Sequence, residues 1–577
     1  MPQLFHQLNP EAPALDLRPV ISQPFALDAV QQSWVDATFA RLSPRQRIGQ
    51  LLHPFLPAAG PELERFLSLS AELGIGGYFQ GGGMGSRELR EVFTRAAETW
   101  PVPPLVSGDY ECGAAIAGAP GMGTALSLAG IADLSEAELI AESLGRSVAE
   151  QGVAVGTRWT FAPVVDISYC IDNPIVNTRS FGDDPHRVAV LAAAFVRGAQ
   201  SGGMACTMKH FPGDGMDQRD QHLVTTVNTM PIERWHETYG KTFGAAMQAG
   251  VAACMIGHIA LAGVSGSTSD GRLLPGTLDP RIQRDLLRGE LGFRGVIVSD
   301  AIGMGGMKAA VLDEPGRVVG NLRAGSDVVL FPLDLAGSLA AIENALVTGE
   351  LHRDLLDDSC QRVLALKARF GLHQAPLLCD ESACATAVSY ARHAPLCCTV
   401  AERSLTLVRD TARHLPLRLV RGSKVVCLDL PNEGFSMHGL VVAGQEQDTL
   451  AFAPFDDALR AAGLRVKRVQ SHAAWKAEIV DADAYLMFAH TRATAGRGSI
   501  RLSYTAQQLV ENTRDHRPMP TALCLMGNPY VAWELAMLPT VIACYANSDD
   551  IQRHLAACVL GTSSFVGRLP VQLPQLV

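Results

Sequence analysis

From about residue 45 to residue 372, short apolar runs alternate with longer segments of helical periodicity, and this alternation restricts the chain to very few folds. In order the runs are QLLHPFL, GGYFQ, PLVSGDYE, TFAPVVDI, ACTMKHF, ACMIGHI, GVIVSDA and DVVLFPL, eight in all. They are apolar on consecutive residues, as strands are when both faces of a parallel sheet are covered. The segments between them, such as LSEAELIAESLGRSVAEQG and RVAVLAAAFVRGAQSGG, carry apolar residues at helical spacing and often finish in glycine, which accepts the left-handed conformation that closes a helix. Regular strand-helix alternation predicts a parallel α/β sheet. Eight units suit a (β/α)8 TIM-type barrel, and a doubly wound open sheet is the alternative.

At 577 residues the chain exceeds what one hydrophobic core usually supports, so a second domain is expected. The helical LLDDSCQRVLALKARFGL and the following HQAPLLCDES mark the end of the first unit. The reading is a barrel over 1–375, a linker with a helix over 376–410 (helical from about 383 to 408), and a smaller α/β sandwich over 411–577. Strands KVVCLDL, ADAYLMFAH, TALCLMG and TVIACYA belong to the sandwich.

The formal net charge of -10 leaves no basic stripe, which argues against nucleic acid as a partner. MPQLFHQLNPEAPALDLRPV lacks the basic and apolar regions of a secretory signal, and no uncharged apolar run is long enough for a bilayer. The 13 cysteines are scattered, mostly within apolar stretches, and none forms a C-x-x-C pair. Buried inert thiols in a reducing, cytoplasmic setting are expected, with no metal and no cofactor. The oligomeric state is not legible.

Several runs end at their C-terminal side in ionisable groups: Asp109 and Glu111, Asp166, Lys209 and His210, His258, and Asp300. In a closed parallel barrel those ends share one mouth, where barrel enzymes build their sites. Singly, an Asp after a strand is as often a helix cap.

Residues 205–223, ACTMKHFPGDGMDQRDQHL, concentrate this signal. Lys209 and His210 at a strand end offer hydrogen bonds that suit a polyhydroxylated ligand. The Gly- and Asp-rich loop that follows is expected to be mobile and free to close over a substrate. In an extended Asp220-Gln221-His222 both outer side chains fall on one side of the backbone. The carboxylate can then hold one imidazole nitrogen and leave the other for acid/base work. Spacing alone leaves this reading and that of a solvated loop both open. In GFRGVIVSDAIGM, Asp300 ends a β-branched apolar run and is followed by small residues, so its carboxylate is presented with little cover. A carboxylate nucleophile opposite a proton donor is the arrangement of double-displacement glycoside hydrolysis.

KHFPGDG followed by Asp220-x-His222, together with GFRGVIVSDAIGM, resembles glycoside hydrolase family 3, specifically its β-N-acetylglucosaminidase branch. That branch has KHFPGHG, an Asp-x-His on the same loop, and an SD motif. VSGDYECG resembles the family's IDQEGG, FAPVVDI its NFAPVxDV, NTRSFGDDP its xRSFGxDP, and SSFVGRLPVQLP the end of the second domain in two-domain members. The clear matches run from about residue 48 to 335. The resemblance implies that Asp300 is the nucleophile, His222 the general acid/base and Asp220 its partner. It implies that Asp109, Arg179, Lys209 and His210 bind the hydroxyls of a terminal N-acetylglucosamine on a small carbohydrate substrate. A phosphorylase or a β-glucosidase of the same family is the alternative activity, and a non-catalytic sugar-binding barrel is the alternative of another class.

Two positions depart from the family pattern. Asp214 stands where KHFPGHG has its second histidine, and Ala114 replaces the arginine that follows IDQEGG. Both bear on which sugar is bound, not on the two-step chemistry. The glycines at 81–83 and 85 lack dinucleotide-binding spacing and predict a loop between strand and helix. No G-x-S-x-G elbow is present, and His258 is expected to be structural or substrate-lining.

Overall fold

The computed structural model describes residues 25–375, 377–431, 452–491, 493–513 and 518–574. The N-terminal stretch read above for a signal lies outside the described residues. Seven of the eight runs contain a strand, and the fourth, TFAPVVDI, only begins at the end of one: β1 Leu52–His53, β2 Gly77–Phe79, β3 Leu105–Gly108, β4 Thr157–Thr160, β5 Ala205–Phe211, β6 Ala253–Ile256, β7 Val296–Ser299 and β8 Val329–Leu330. Strands β2 to β7 make a six-stranded parallel sheet in sequence order, and β1 pairs with β8. Parallel bridges Phe55–Phe79 and Val298–Val328 join that pair to β2 and β7, so the ring closes as the expected barrel.

Local chemistry explains the helices between strands. Asp133 caps Leu134–Ala154 by accepting the Glu136 N–H at 2.8 Å. Asp184 caps Pro185–Ser201, with proline at the first helical position, where its missing N–H costs nothing. These two helices pack against each other at glycines. A Cβ on Gly145 would lie 2.3 Å from Phe195 O, and one on Gly198 would lie 1.9 Å from Glu142 O. The close approach buries Leu144, Val148, Leu191 and Phe195 completely, each worth about 1.5–3 kcal/mol. A side chain larger than hydrogen at Gly198 would force the pair apart.

The second domain is a six-stranded sheet of β9 Thr406–Asp410, β10 Lys424–Asp429, β11 Arg465–Val469, β12 Ala484–Ala489, β13 Thr521–Leu525 and β14 Thr540–Ala543. Its order is β9-β14-β13-β12-β10-β11, parallel except for β9 against β14. Alternate residues serve opposite faces. Val425, Cys427, Leu486 and Phe488 pack with helices 453–461 and 549–560, while Val426, Leu428, Tyr485 and Met487 pack toward 472–478 and 504–513. This is the α/β sandwich expected, with one correction. The helix read to residue 408 is two helices, Glu381–Ala387 and Tyr390–Ser404, and the chain then turns into strand β9. Leu405 is completely buried and starts a strand that finds its hydrogen bonds on β14.

The two domains share hydrogen bonds beside the barrel mouth. Tyr530 OH donates to Ser168 O at 3.0 Å, and Asn177 Nδ2 donates to Asn528 Oδ1 at 3.1 Å. The C-terminal stretch runs along the loop before helix 185–201, where Gln572 N–H donates to Asp183 Oδ2 at 2.5 Å and Asp183 N–H to Pro570 O at 3.3 Å. Among the described residues no helix is long and apolar enough to cross a membrane.

Candidate active site

The mouth is built from the C-terminal ends of β3, β4, β5, β6 and β7. Strand β5 is buried throughout, and its pairing with β6 shifts between Met208 and Phe211. Such a bulge re-aims side chains. Lys209 Nζ lies 2.8 Å from Asp109 Oδ1 and 2.9 Å from Glu111 Oε1. Arg179 grips Glu111 from the other side, with Nη2 to Oε1 at 2.7 Å and Nε to Oε2 at 3.1 Å. Burial works against a charged Glu111, but Arg179 and Lys209 outweigh it and hold the carboxyl far below the usual carboxylate range. Burial likewise opposes the Lys209 cation, and Asp109 and Glu111 outweigh it, so its value is raised. Asp109, with 53% of its side chain exposed, is the member of this chain of charges that faces open space.

His210 is held from behind. Its Nδ1 lies 2.7 Å from Asp166 Oδ2, and its backbone N–H donates to both Asp166 oxygens at 3.1 Å. The Nδ1 partner is a carboxylate, so Nδ1 carries the proton and Nε2 is the nitrogen left for a ligand. Asp214, at the departure from the family pattern, sits against the same carboxylate. Its N–H donates to Asp166 Oδ1 at 2.7 Å, and its own Oδ1 accepts from Asn173 Nδ2 at 3.0 Å and Gly215 N–H at 2.6 Å. Burial and the neighbouring Asp166 charge push the Asp214 carboxyl up to about 6. Ala114 donates its N–H to Gln151 Oε1 at 3.0 Å.

Asp220 and His222 meet, but by a different geometry from the extended one expected. The segment is a turn: Asp220 Oδ1 accepts both the His222 backbone N–H at 2.8 Å and His222 Nδ1 at 2.7 Å. A short acidic side chain that accepts from the amide two residues on makes a local turn, and here that turn carries the imidazole to the same oxygen. His222 Nε2 is again the nitrogen left over.

The loop that carries this pair is docked, not loose. Gly305 N–H donates to His222 O at 2.7 Å, Gly306 N–H to Gln221 O at 3.2 Å, and His258 N–H to Gln221 Oε1 at 3.0 Å. Only glycine permits this contact, since a Cβ on Gly305 would lie 2.2 Å from Leu223 O and one on Gly306 would lie 2.6 Å from Gln221 O. Asp300 immediately precedes that docking segment, at the end of β7, with Oδ1 accepting from Ala301 N–H at 2.7 Å. Burial raises its carboxyl, but His210, His258 and His222 around it, with the Ala301 amide, bring it below its ordinary value. His258 is fully buried, with Nδ1 2.8 Å from Thr277 Oγ1 and Nε2 2.9 Å from Ala301 O. Burial lowers its value first, against the pull of Asp300, so it is neutral and donates from Nε2 to the carbonyl. Both of its nitrogens are occupied, and Nε2 holds the backbone just after Asp300.

The mouth therefore gathers Asp109, Lys209, His210 and Asp300, with Arg179 reaching it through Glu111 and the Asp220-His222 turn fastened beside Asp300. The glycines after β2 lie in a βα loop, as expected. Three participants were not singled out as site residues. Glu111 and Asp166 stand at the ends of apolar runs, yet the sequence does not tell that one binds Arg179 and Lys209 and the other His210. Gly496, from the second domain, donates its N–H to Asp220 Oδ2 at 2.8 Å, and no local signal marks it.

The description "Glycosyl hydrolase family 3 N terminal domain" fits residues 69–366. The Cellulomonas fimi protein named beta-N-acetylglucosaminidase/beta-glucosidase is 33% identical over 562 residues, 95% of this chain and 97% of that protein. Among solved structures, beta-glucoside phosphorylase BglX superposes with a TM-score of 0.84 at 26% identity, covering 96% of this chain and 98% of that one. The family 3 beta-N-acetylglucosaminidase from Paenibacillus sp. str. FPU-7 superposes with a TM-score of 0.75 at 25% identity, covering 93% of this chain and all of that one. With the barrel closed, the motifs gathered at one mouth and a relative matched along nearly its whole length, the chain belongs to glycosyl hydrolase family 3 and is a glycoside hydrolase.

Proposed function

We propose that this protein is an exo-acting retaining β-N-acetylglucosaminidase that works by double displacement. An Asp300 oxygen attacks the anomeric carbon while the glycosidic C–O bond breaks, and the leaving oxygen takes the proton from His222 Nε2. Water then attacks the same carbon, gives its proton to Nε2, and the ester bond to Asp300 breaks to release the sugar. Asp220 fixes the imidazole tautomer. Asp109, Lys209, His210 and Arg179 bind the hydroxyls of the terminal sugar, Arg179 acting beside Glu111. The observation that supports this reading best is the hydrogen bond from Gly305 N–H to His222 O, which ties the acid/base turn to the segment just after Asp300. A depressed Asp300 carboxyl agrees with a nucleophile that stays ionised opposite a proton donor. The substrate assignment rests on the motifs and on the name of the Cellulomonas fimi relative. Fragments of cell wall or chitin in a cytoplasmic setting fit it.

The test compares nitrophenyl and methylphenyl β-N-acetylglucosaminides, with the matching β-glucosides alongside. His222→Ala should lose far more rate on the methylphenyl substrate, whose poor leaving group needs the proton. Equal losses on the two would remove His222 from the acid role, and a preference for the glucosides would overturn the sugar assignment. Asp300→Asn should lower kcat by roughly three orders of magnitude or more. A second reading, phosphate as the acceptor in place of water, is favoured by the likeness to beta-glucoside phosphorylase BglX. Product analysis in phosphate buffer separates the two, as free sugar or sugar 1-phosphate.

A further inference from the structure

In the second domain the chain passes from β10 to β11 and then back across β10 to β12, since β10 lies between the two in the sheet. The C-terminal ends of β10 and β12 are therefore the point where strand order reverses, the place where open α/β sheets present their binding loops. The loop that follows β12 leads to the barrel. Its tight turn, with Arg497 N–H donating to Thr494 O at 3.2 Å and left-handed glycines at 496 (φ 74°) and 498 (φ 70°), brings Gly496 N–H to Asp220 Oδ2.

Both carboxylate oxygens of Asp220 are thus engaged, Oδ1 by the barrel's own His222 and Oδ2 by the second domain. The loop is secured just after that contact. Arg501 grips Asp172 of the barrel with Nε to Oδ1 at 2.6 Å and Nη2 to Oδ2 at 2.7 Å, and Asn528 Nδ2 holds Ile500 O at 3.1 Å. Leu223, next to the histidine, comes so close to Gly498 that a Cβ there would lie 3.3 Å from its Cδ1. Between these contacts lies a cleft of about 530 Å³ that includes Asp220, Leu223, Gly498 and Arg501 in its wall.

We propose that residues 493–501 of the second domain are a positioning element for the acid/base pair, with the Gly496 amide fixing the Asp220 carboxylate and Arg501–Asp172 fixing the loop. This rests on the assignment of His222 as the acid. A carboxylate bonded at both oxygens cannot rotate, so His222 Nδ1 keeps its partner and Nε2 keeps its aim. Without the amide, the Oδ2 side is free to swing and the imidazole loses its fixed aim.

The experiment measures kcat/KM of the full chain on nitrophenyl and methylphenyl glycosides across pH, for Arg501→Ala, Asp172→Asn, Gly496→Ala, Gly496→Pro and His222→Ala. Alanine at 496 keeps the N–H and proline removes it, while both oppose the left-handed backbone. Arg501→Ala and Gly496→Pro should each lose about tenfold or more on the methylphenyl substrate and less than about threefold on the nitrophenyl one. Gly496→Ala should lie between them and the native protein. Equal losses on both substrates are what a purely structural loop would give, and would overturn the inference. If His222→Ala discriminates between the substrates and the loop variants do not, this inference alone falls. If His222→Ala does not discriminate, the acid assignment falls and the inference with it. Asp172→Asn breaks the same anchor from the barrel side and decides the matter should Arg501→Ala not fold.

Discussion

Replacing Asp214 by asparagine should stabilise the protein, and the size of the effect follows from what surrounds the carboxyl. Asp214 is completely buried beside Asp166, and its value rises from 3.8 to about 6. That rise corresponds to roughly 3 kcal/mol in favour of the neutral form, at about 1.4 kcal/mol per pH unit. In the unfolded chain the group ionises at its ordinary value, so between about pH 4 and 6 the unfolded state binds fewer protons than the folded one. Stability contributed by this group therefore falls as pH rises through that window and stays low above it. An asparagine Oδ1 can accept the same bonds from Asn173 Nδ2 and Gly215 N–H, and it carries no charge against Asp166. The variant should gain about 1–3 kcal/mol at pH 7.5 and about 1 kcal/mol or less at pH 4.5. Denaturant titrations of both proteins at the two pH values measure this directly. A gain that is independent of pH, or a loss at pH 7.5, would refute the charge-repulsion account and make Asp214 a favourable ion, stabilised by His210 more than it is opposed by Asp166.

Glu111→Gln leaves Lys209 and Arg179 sharing a neutral partner in a buried place, which should cost about 3 kcal/mol of stability and raise KM more than it lowers kcat. Thermal denaturation and initial-rate kinetics check the two parts, and an unchanged KM would remove this cluster from sugar binding. Gly305→Ala drives a methyl into Leu223 O, so the Asp220–His222 turn should lift away from Asp300. Activity should fall at least about tenfold with less than about 2 kcal/mol of stability lost, since the site is at the mouth and not in the core.

The barrel was legible because most of its strands lie within apolar runs that need no partner to be identified; the fourth, TRWT, does not, and only the run that follows it marked its place. The two second-domain strands that escaped notice lie at sheet edges. Thr406–Asp410 is only partly buried and follows a helix after a single residue, so its apolar positions read as more helix. Arg465–Val469, RVKRV, carries the charged residues that keep a sheet edge from pairing with another chain, and that composition hides a strand. At the site, Asp220-x-His222 and Asp300 were visible because their signal is local. The grip of Glu111 on Arg179 spans 68 positions and the bond from Gly496 to Asp220 spans 276, beyond any spacing rule. The Asp-x-His conformation was misread because a side chain closing on its own backbone competes with extension, and only the surroundings decide which wins.

Lys209 is buried behind Glu111, and Glu111 and Arg179 are each more than three-quarters covered. Dissolved ions screen exposed charges over about 8–10 Å at physiological strength and reach such an enclosed group far less. The proposed hold on the terminal sugar should therefore be nearly the same in dilute buffer and in concentrated salt. Any dependence on ionic strength would then come from the rest of the ligand, where half-exposed Arg219 and Arg501 stand at the outer lip of the cleft.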